Sequence, residues 1–238
     1  MKNPFLSIVI PAYNEEKRLG VTLEKIKNYM DLQDYEYDVV VVSDGSTDGT
    51  REVAENSLLY KDGKLRFFCN VKNMGKGFSV KKGVSSVDGE WILFTDADLS
   101  TPMKEIDKLF KKSENGADIV IGSRAVKTSK VEVRQPFYRQ LMGKTFNLLI
   151  RVVLNQKFKD TQCGFKLFKG KTAKRIFQET KLAGFAFDVE MLFLALRYGF
   201  KVEEVGVIWI NSKESRVHPI FSSLQMFRDI IRIRFIHR

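Results

Sequence analysis

Apolar residues in this chain come first as short unbroken runs and later as helical stripes. Leu6-Ser-Ile-Val-Ile-Pro11 is a short β-branched run that Pro11 ends. Tyr37-Asp-Val-Val-Val-Val42 is a continuous valine run, the mark of a strand buried on both faces. Leu65–Asn70, Trp91–Thr95 and Ala117–Gly122 repeat the pattern. Between the runs the period changes. Leu19, Leu23, Ile26 and Met30 recur at helical spacing, Val80 and Val84 mark a short helix, and Met103, Ile106, Leu109 and Phe110 give a further helix one apolar face. Pro102 suits that helix's first turn. A helix after the second run should begin near Thr47 or Asp48, either of which could cap it. Strand and helix thus alternate to residue 122, which predicts an α/β fold with a mostly parallel sheet and helices on both faces.

Beyond that point the rhythm changes. Val126–Gln135 is charged and aperiodic and reads as a loop. Phe137–Leu154 reads as an amphipathic helix, with Leu141, Met142, Phe146, Leu149, Val152 and Val153 opposite Gln140, Lys144, Asn147 and Arg151. A loop and short strand over Asp160–Phe168 and a helix over Ala173–Phe177 follow. Next comes a largely buried helix, Val189–Tyr198, with Asp188 as a possible N-cap and Gly199 as its stop. A strand over Val202–Ile210, a polar loop over Asn211–His218 and a last helix from Pro219 complete the chain. The expected organisation is one domain over residues 1–218, followed by a basic amphipathic helix over 219–238.

Composition narrows the function. The 238 residues carry 40 Lys+Arg against 29 Asp+Glu, a formal net charge of +11, which favours anionic partners: nucleic acid, anionic lipid or phosphorylated substrates. Basic and aromatic residues do not interleave on the predicted surface strands, and no nucleic-acid-binding module is visible, so nucleic acid is not expected as a partner. Cys69 and Cys163 form no Cys-x-x-Cys pair, which gives no support to a zinc or redox motif. Residues 1–4 run straight into the first strand without a signal-peptide layout, and the apolar stretch Leu182–Phe200 is broken by Asp188, Glu190 and Arg197.

Three polar clusters fall just after predicted strands: Tyr13-Asn-Glu15, Ser43-Asp-Gly-Ser46 and Asp96-Ala-Asp98. In a parallel sheet those strand ends share one edge, and open α/β sheets bind ligands there. Two carboxylates one residue apart repel each other, and a cation between them lowers the energy of both. Mg²⁺ is often held by one or two carboxylates together with substrate phosphates. Asn73-Met-Gly-Lys-Gly77 belongs at the same edge, where its glycines would let backbone approach an anion and Lys76 would add charge. Alone it is an ordinary turn, and it lacks P-loop spacing.

Taken in order, Val9-Ile-Pro-Ala-Tyr-Asn-Glu15, Val42-Ser-Asp-Gly-Ser-Thr-Asp48, Asn73–Gly77 and Thr95-Asp-Ala-Asp98 resemble family-2 glycosyltransferases of the GT-A fold. Ile121-Gly-Ser-Arg124, Asp160-Thr-Gln-Cys-Gly-Phe-Lys-Leu-Phe168, Phe187-Asp-Val-Glu190 and Ser215-Arg-Val217 resemble the polyprenyl-phosphate branch of that family, its glucosyl-transferring members more than its mannosyl-transferring ones. One departure is Ser43, where the family often has Asp, so one nucleotide contact is in doubt; another is a membrane anchor of eukaryotic relatives with no counterpart here.

The resemblance implies roles. Pro11, Ala12, Tyr13, Asn14, Glu15 and Asp44 would surround the nucleotide base and ribose, with Gly75, Lys76, Asp96 and Ala97 also on the nucleotide sugar. Asp96 and Asp98 would hold Mg²⁺ or Mn²⁺. Arg124 and Arg139 would clamp an acceptor phosphate, with Arg216 a third candidate, since guanidinium matches phosphate oxygens bidentately. Asp160, Gln162, Asp188 and Glu190 would line the donor sugar. The implied reaction is inverting transfer of a hexose, glucose from UDP-glucose, onto dolichyl or polyprenyl phosphate. Such an acceptor is already anionic and needs no obligatory base, whereas a sugar hydroxyl must lose a proton. The alternatives are a GDP-mannose donor and a sugar or polysaccharide acceptor, for which Asp188 or Glu190 could be the base. Phe137–Leu154 and Pro219–Arg238 have the composition of helices that lie in a bilayer interface, so the chain is expected at the cytoplasmic face of a membrane, peripherally bound.

Overall fold

The structure is a computed structural model that describes residues 3–132, 148, 150–151, 157–210 and 219–237. The predicted helix over 137–154 and loop over 211–218, with Arg139 and Arg216, lie largely or wholly outside the described residues.

Each of the five expected strands forms: β1 (Leu6–Ala12), β2 (Tyr37–Ser43), β3 (Leu65–Cys69), β4 (Trp91–Thr95) and β5 (Ile119–Ser123). They join β7 (Phe165–Lys169) and β8 (Val202–Gly206) in one sheet of order β3-β2-β1-β4-β7-β5-β8. β7 alone runs antiparallel to its neighbours, β4 and β5. The runs are unbroken because both faces are covered. Ile8, Ile10 and Val41 pack with Leu19, Leu23 and Ile26 of α1 (Leu19–Met30) and with Ile106 and Leu109 of α5 (Ile106–Ser113). Val9, Val40, Val42 and Phe94 face α4 (Lys76–Ser85), α6 (Gly170–Glu179) and α7 (Phe187–Arg197) through Val80, Val84, Ile176, Phe177 and Met191.

Strands β1, β2 and β3 are laid down outward in one direction, and the chain then returns to place β4 on the other side of β1. The order therefore switches between β1 and β4, and open α/β sheets bind ligands at such a point, beyond the carboxyl ends.

Some elements differ from expectation. The helix after β2 starts at Thr50, as α2 (Thr50–Glu55), and Asp48 accepts the Thr50 amide at 3.1 Å. A second short helix, α3 (Leu58–Lys61), follows. Val202–Ile210 is two strands, since the chain leaves the main sheet after Gly206. β9 (Ile208–Trp209) then pairs with β6 (Lys130–Val131), inside the stretch expected to be loop. The bend is tight: a Cβ on Gly206 would lie 2.3 Å from Thr128 Oγ1.

The last helix, α8 (Pro219–Ile236), buries Ile230 and Ile233 against Leu182, Ala186 and Val189. Phe227, Ile231 and Phe235 remain exposed on it. Among the described residues no helix is long and apolar enough to cross a membrane.

Candidate active site

The sheet brings the polar clusters to one edge. After β1 and β2 the two loops are stitched together. Asn14 donates its amide to Ser46 Oγ and accepts the Thr47 amide, and Glu15 donates its amide to Thr50 Oγ1. Asn14 sits at φ 54°, a conformation that asparagine tolerates better than most residues.

The loop residues divide into exposed groups and hidden supports. Tyr13 is exposed just beyond the end of β1. Pro11 and Ala12, expected as nucleotide contacts, are buried within β1, in register with Val42 and Ser43. Glu15 is spent on Arg18, which grips both carboxylate oxygens at 2.6 and 2.7 Å. Arg18 also reaches Asp98 Oδ2 at 3.8 Å, across the switch point. Asp44 is buried as well. It accepts Asn70 Nδ2 and the Met74 amide, each at 2.9 Å, and the Gly75 amide at 2.8 Å. Its carboxylate ties down the 73–77 loop through the Met74 and Gly75 amides.

That loop delivers Lys76. The glycines beside it have another reason than the expected anion approach. A Cβ on Gly75 would lie 2.4 Å from Ala183 O, and one on Gly77 2.6 Å from Leu182 O. They let the loop press against the chain entering α7, and Lys76 Nζ then meets Asp96 Oδ1 at 2.6 Å. Burial pulls the Lys76 ammonium down, but Asp96, Asp188 and Asp98 outweigh it and leave its pKa raised.

Asp96 and Asp98 follow β4 at the same edge, with side chains 35% and 21% exposed. The turn is anchored from below, where Thr22 Oγ1 donates to the Ala97 carbonyl at 2.7 Å and the Asp96 amide donates to Gly164 O. Leu99 is held at φ 44°, strain of the kind that collects at functional sites. Gly164 is required here: a Cβ would fall 1.9 Å from Asp96 Oδ2.

β7 runs antiparallel, so the stretch before it also lies at this edge. Asp160 Oδ2 accepts the Arg124 Nε at 2.7 Å, and Oδ1 accepts Nη2 at 2.8 Å. Arg124 thus meets Asp160, and its guanidinium also lies 5.5 Å from the Trp209 ring centre. Burial works to raise the Asp160 carboxyl, and Arg124 outweighs it, leaving the group below its ordinary value. Gln162 is half-buried, and its backbone N–H donates to Asp160 Oδ1 at 3.2 Å. Burial pushes the Cys163 thiol up to about 12, too high for a thiolate nucleophile.

Two expected donor-sugar residues are not open. Glu190 is fully buried. It accepts the Lys181 and Leu182 amides and contacts His237 Nε2 at 2.6 Å. Asp188 is not the cap of α7, whose N-cap is Ala186; it is buried against Lys166 Nζ at 2.5 Å. Burial pushes the Asp188 carboxyl up, against the pull of Lys166 and Lys76. A sheltered carboxyl with a lysine on it is poorly placed to take a proton from a substrate hydroxyl.

The sequence alone gives no role to Arg18 or Trp209, and it holds Gly164 and Lys166 only as members of the Asp160–Phe168 motif. Arg18 had a signal, three residues after Glu15. Lys166 had another, a charge in the middle of Phe165-Lys-Leu-Phe168. A concavity of about 270 Å³ beside Met30, Tyr35 and Tyr37 lies at the opposite end of the sheet and holds none of these groups.

Among the described residues no group of three or more His, Cys, Asp or Glu side chains assembles as a metal site. The donor set fits an ion held in another way, by two partly exposed carboxylates, with phosphate oxygens completing the shell.

Residues 7–177 match the family model described as glycosyl transferase family 2. The chain is 35% identical to a dolichyl-phosphate beta-glucosyltransferase of Dictyostelium discoideum, covering 98% of this chain and 76% of that protein. It is 36% identical to the enzyme of that name from Homo sapiens, covering 96% and 74%. Among solved structures, it superposes on mannosyl-3-phosphoglycerate synthase from Rubrobacter xylanophilus with a TM-score of 0.72 at 17% identity, covering 96% of this chain and 73% of that one. Glucosyl-3-phosphoglycerate synthase from Mycobacterium tuberculosis, solved with Mn²⁺, uridine diphosphate and glucosyl-3-phosphoglycerate, gives 0.67 at 18% identity, covering 98% and 79%.

Proposed function

Because this chain belongs to glycosyl transferase family 2 and is a glycosyltransferase, we propose that it transfers glucose from UDP-glucose to dolichyl or polyprenyl phosphate, with inversion at the anomeric carbon. The observation that carries this reading is the pairing, at one sheet edge, of two partly exposed carboxylates, Asp96 and Asp98, with the guanidinium of Arg124. One group suits the diphosphate end of a donor, the other an acceptor phosphate. The names of the relatives above supply the sugar and the lipid.

Asp96 and Asp98 would hold a Mg²⁺ or Mn²⁺ ion, whose chemistry there is neutralisation of the charge building on the departing diphosphate. Lys76, beside Asp96, adds a fixed positive charge at the same place. Tyr13 offers a ring against which a base can stack. Arg124, held in place by Asp160, would present its outer edge to the lipid phosphate. An acceptor oxygen that is already anionic needs alignment more than deprotonation. The burial of Asp188 and Glu190 agrees with a reaction that uses no side-chain base.

The test is transfer of labelled sugar from UDP-glucose and, separately, GDP-mannose into polyprenyl phosphate. Glucose transfer is expected. It should vanish with a chelator, return with Mn²⁺ or Mg²⁺, and fall about 10²–10³-fold in Asp98→Asn. Activity indifferent to chelator would remove the metal from this scheme, and transfer from GDP-mannose alone would replace the donor.

We also place the protein at the cytoplasmic face of a membrane, peripherally bound through α8. Phe227, Ile231 and Phe235 recur four residues apart on its exposed side, flanked by Arg228, Arg232 and Arg234. Apolar and basic residues on one helix suit an anionic lipid interface. Sedimentation with phosphatidylserine vesicles should be strong for the native chain and weak after Phe227, Ile231 and Phe235 are all changed to Ser. Equal binding by both would exclude this face.

A further inference from the structure

Lys166 lies fully buried in the middle of β7, and the reaction above assigns it nothing. Its neighbours Phe165 and Leu167 pack on the α1 and α5 side, whereas Phe168 packs on the α6 and α7 side. Lysine is almost never fully buried unless it is paired. Here the ammonium donates to the Cys163 carbonyl at 2.7 Å and to Asp188 Oδ1 at 2.5 Å. It lies 5.6 Å from the centre of the Phe94 ring, and Lys76 Nζ lies 5.4 Å from that same centre.

Each bond leads to one half of the Lys76–Asp96 contact. Cys163 precedes Gly164, which accepts the Asp96 amide and leaves the space its carboxylate fills. Asp188 follows Phe187 in the first turn of α7. A Cβ on Gly77, next to Lys76, would lie 2.6 Å from Phe187 Cβ. The Phe187 and Phe94 rings meet edge to face with centres 5.7 Å apart.

We propose that Lys166 is a positioning residue for the diphosphate end of the site. Through Cys163 it fixes the cradle of Asp96, through Asp188 it fixes the turn that supports the Lys76 loop, and it thereby sets the contact between Lys76 and Asp96. The proposal rests on the reading of Asp96 and Lys76 as the donor end.

K166M alone strands a buried carboxylate and invites loss of folding. K166M/D188L removes both charges at similar volume, a change that is often neutral for stability. Three measurements apply to the full chain: thermal unfolding, calorimetric titration with UDP-glucose and GDP-mannose, and the rate of reductive methylation of Lys76 followed by mass spectrometry without nucleotide. The double variant should unfold near the native temperature, bind the donor about tenfold more weakly, as supporting contacts of this kind usually cost, and expose Lys76 to faster methylation. Native donor affinity together with a native methylation rate would overturn the proposal. Should the double variant not fold, D188N keeps the shape and loses the charge. Both readouts should then move in the same direction, and no movement again overturns it. If the native chain binds neither nucleotide sugar, the donor reading fails, and the methylation comparison still decides the role of Lys166.

Discussion

Replacing Gly164 with alanine is expected to lower sugar transfer about 10²–10³-fold while the fold survives, the loss typical of removing one preorganised electrostatic contact. The added methyl would lie 1.9 Å from Asp96 Oδ2 and 2.3 Å from its Cγ. Those atoms end a rotatable side chain, so the carboxylate swings away and the backbone stays. Asp96 then leaves both the place proposed for the ion and the ammonium of Lys76. Steady-state kinetics beside a thermal melt would show it: kcat/KM collapses, and the melting temperature moves by only a few degrees. G164A/D96A should be no worse than D96A, because both act through one carboxylate. A G164A enzyme with more than half of native activity would remove Asp96 from the reaction.

Arg124→Ala should cost stability as well as transfer. The guanidinium supplies two of the hydrogen bonds on Asp160, whose side chain is only 2% exposed. Without it the carboxylate keeps the Arg124 and Gln162 amides and loses its counter-charge. Stranding one member of such a pair costs about 3 kcal/mol at the low end, or roughly 6–12 °C in melting temperature for a chain of this length. The pH dependence gives the sign. In the native protein Asp160 lies below its ordinary value, so its pair contributes fully above the unfolded carboxyl pKa and is lost as pH falls through the native one. In the variant, burial without the arginine raises the same carboxyl, so the folded state gains from protonation. The gap between the two proteins should therefore narrow as pH drops toward about 4. Urea unfolding at neutral and acid pH measures it, and a gap that is constant or widens on acidification would show that Asp160 is not the stranded charge.

These two residues also show what the amino-acid sequence reveals. β1, β2 and β4 were legible because a strand covered on both faces needs apolar side chains on both, and Val39–Val42 has no other comfortable place. The meeting of the clusters at one edge followed from parallel pairing alone. The inner arrangement did not follow. Asp44 has the residue type and position of a ligand, yet its oxygens are taken by amides that only the folded loop presents. The glycines of the 73–77 loop answer to backbone from residues 182–184, more than a hundred positions away. Arg124 and Asp160 each stand out in a motif, but their pairing depends on β7 lying next to β5. Spacing along a chain carries no record of which late segment enters which early gap.

That late entry has a consequence for synthesis. β4 and β5 are made by residue 123, yet no strand lies between them until Phe165–Lys169 emerges. A nascent chain of intermediate length therefore holds two apolar strands with unfilled edges, a template for pairing with other chains. Asp96 lacks its Gly164 partner over the same interval. One five-residue strand therefore fills the gap between β4 and β5 and brings Asp96 its Gly164 partner in the same event.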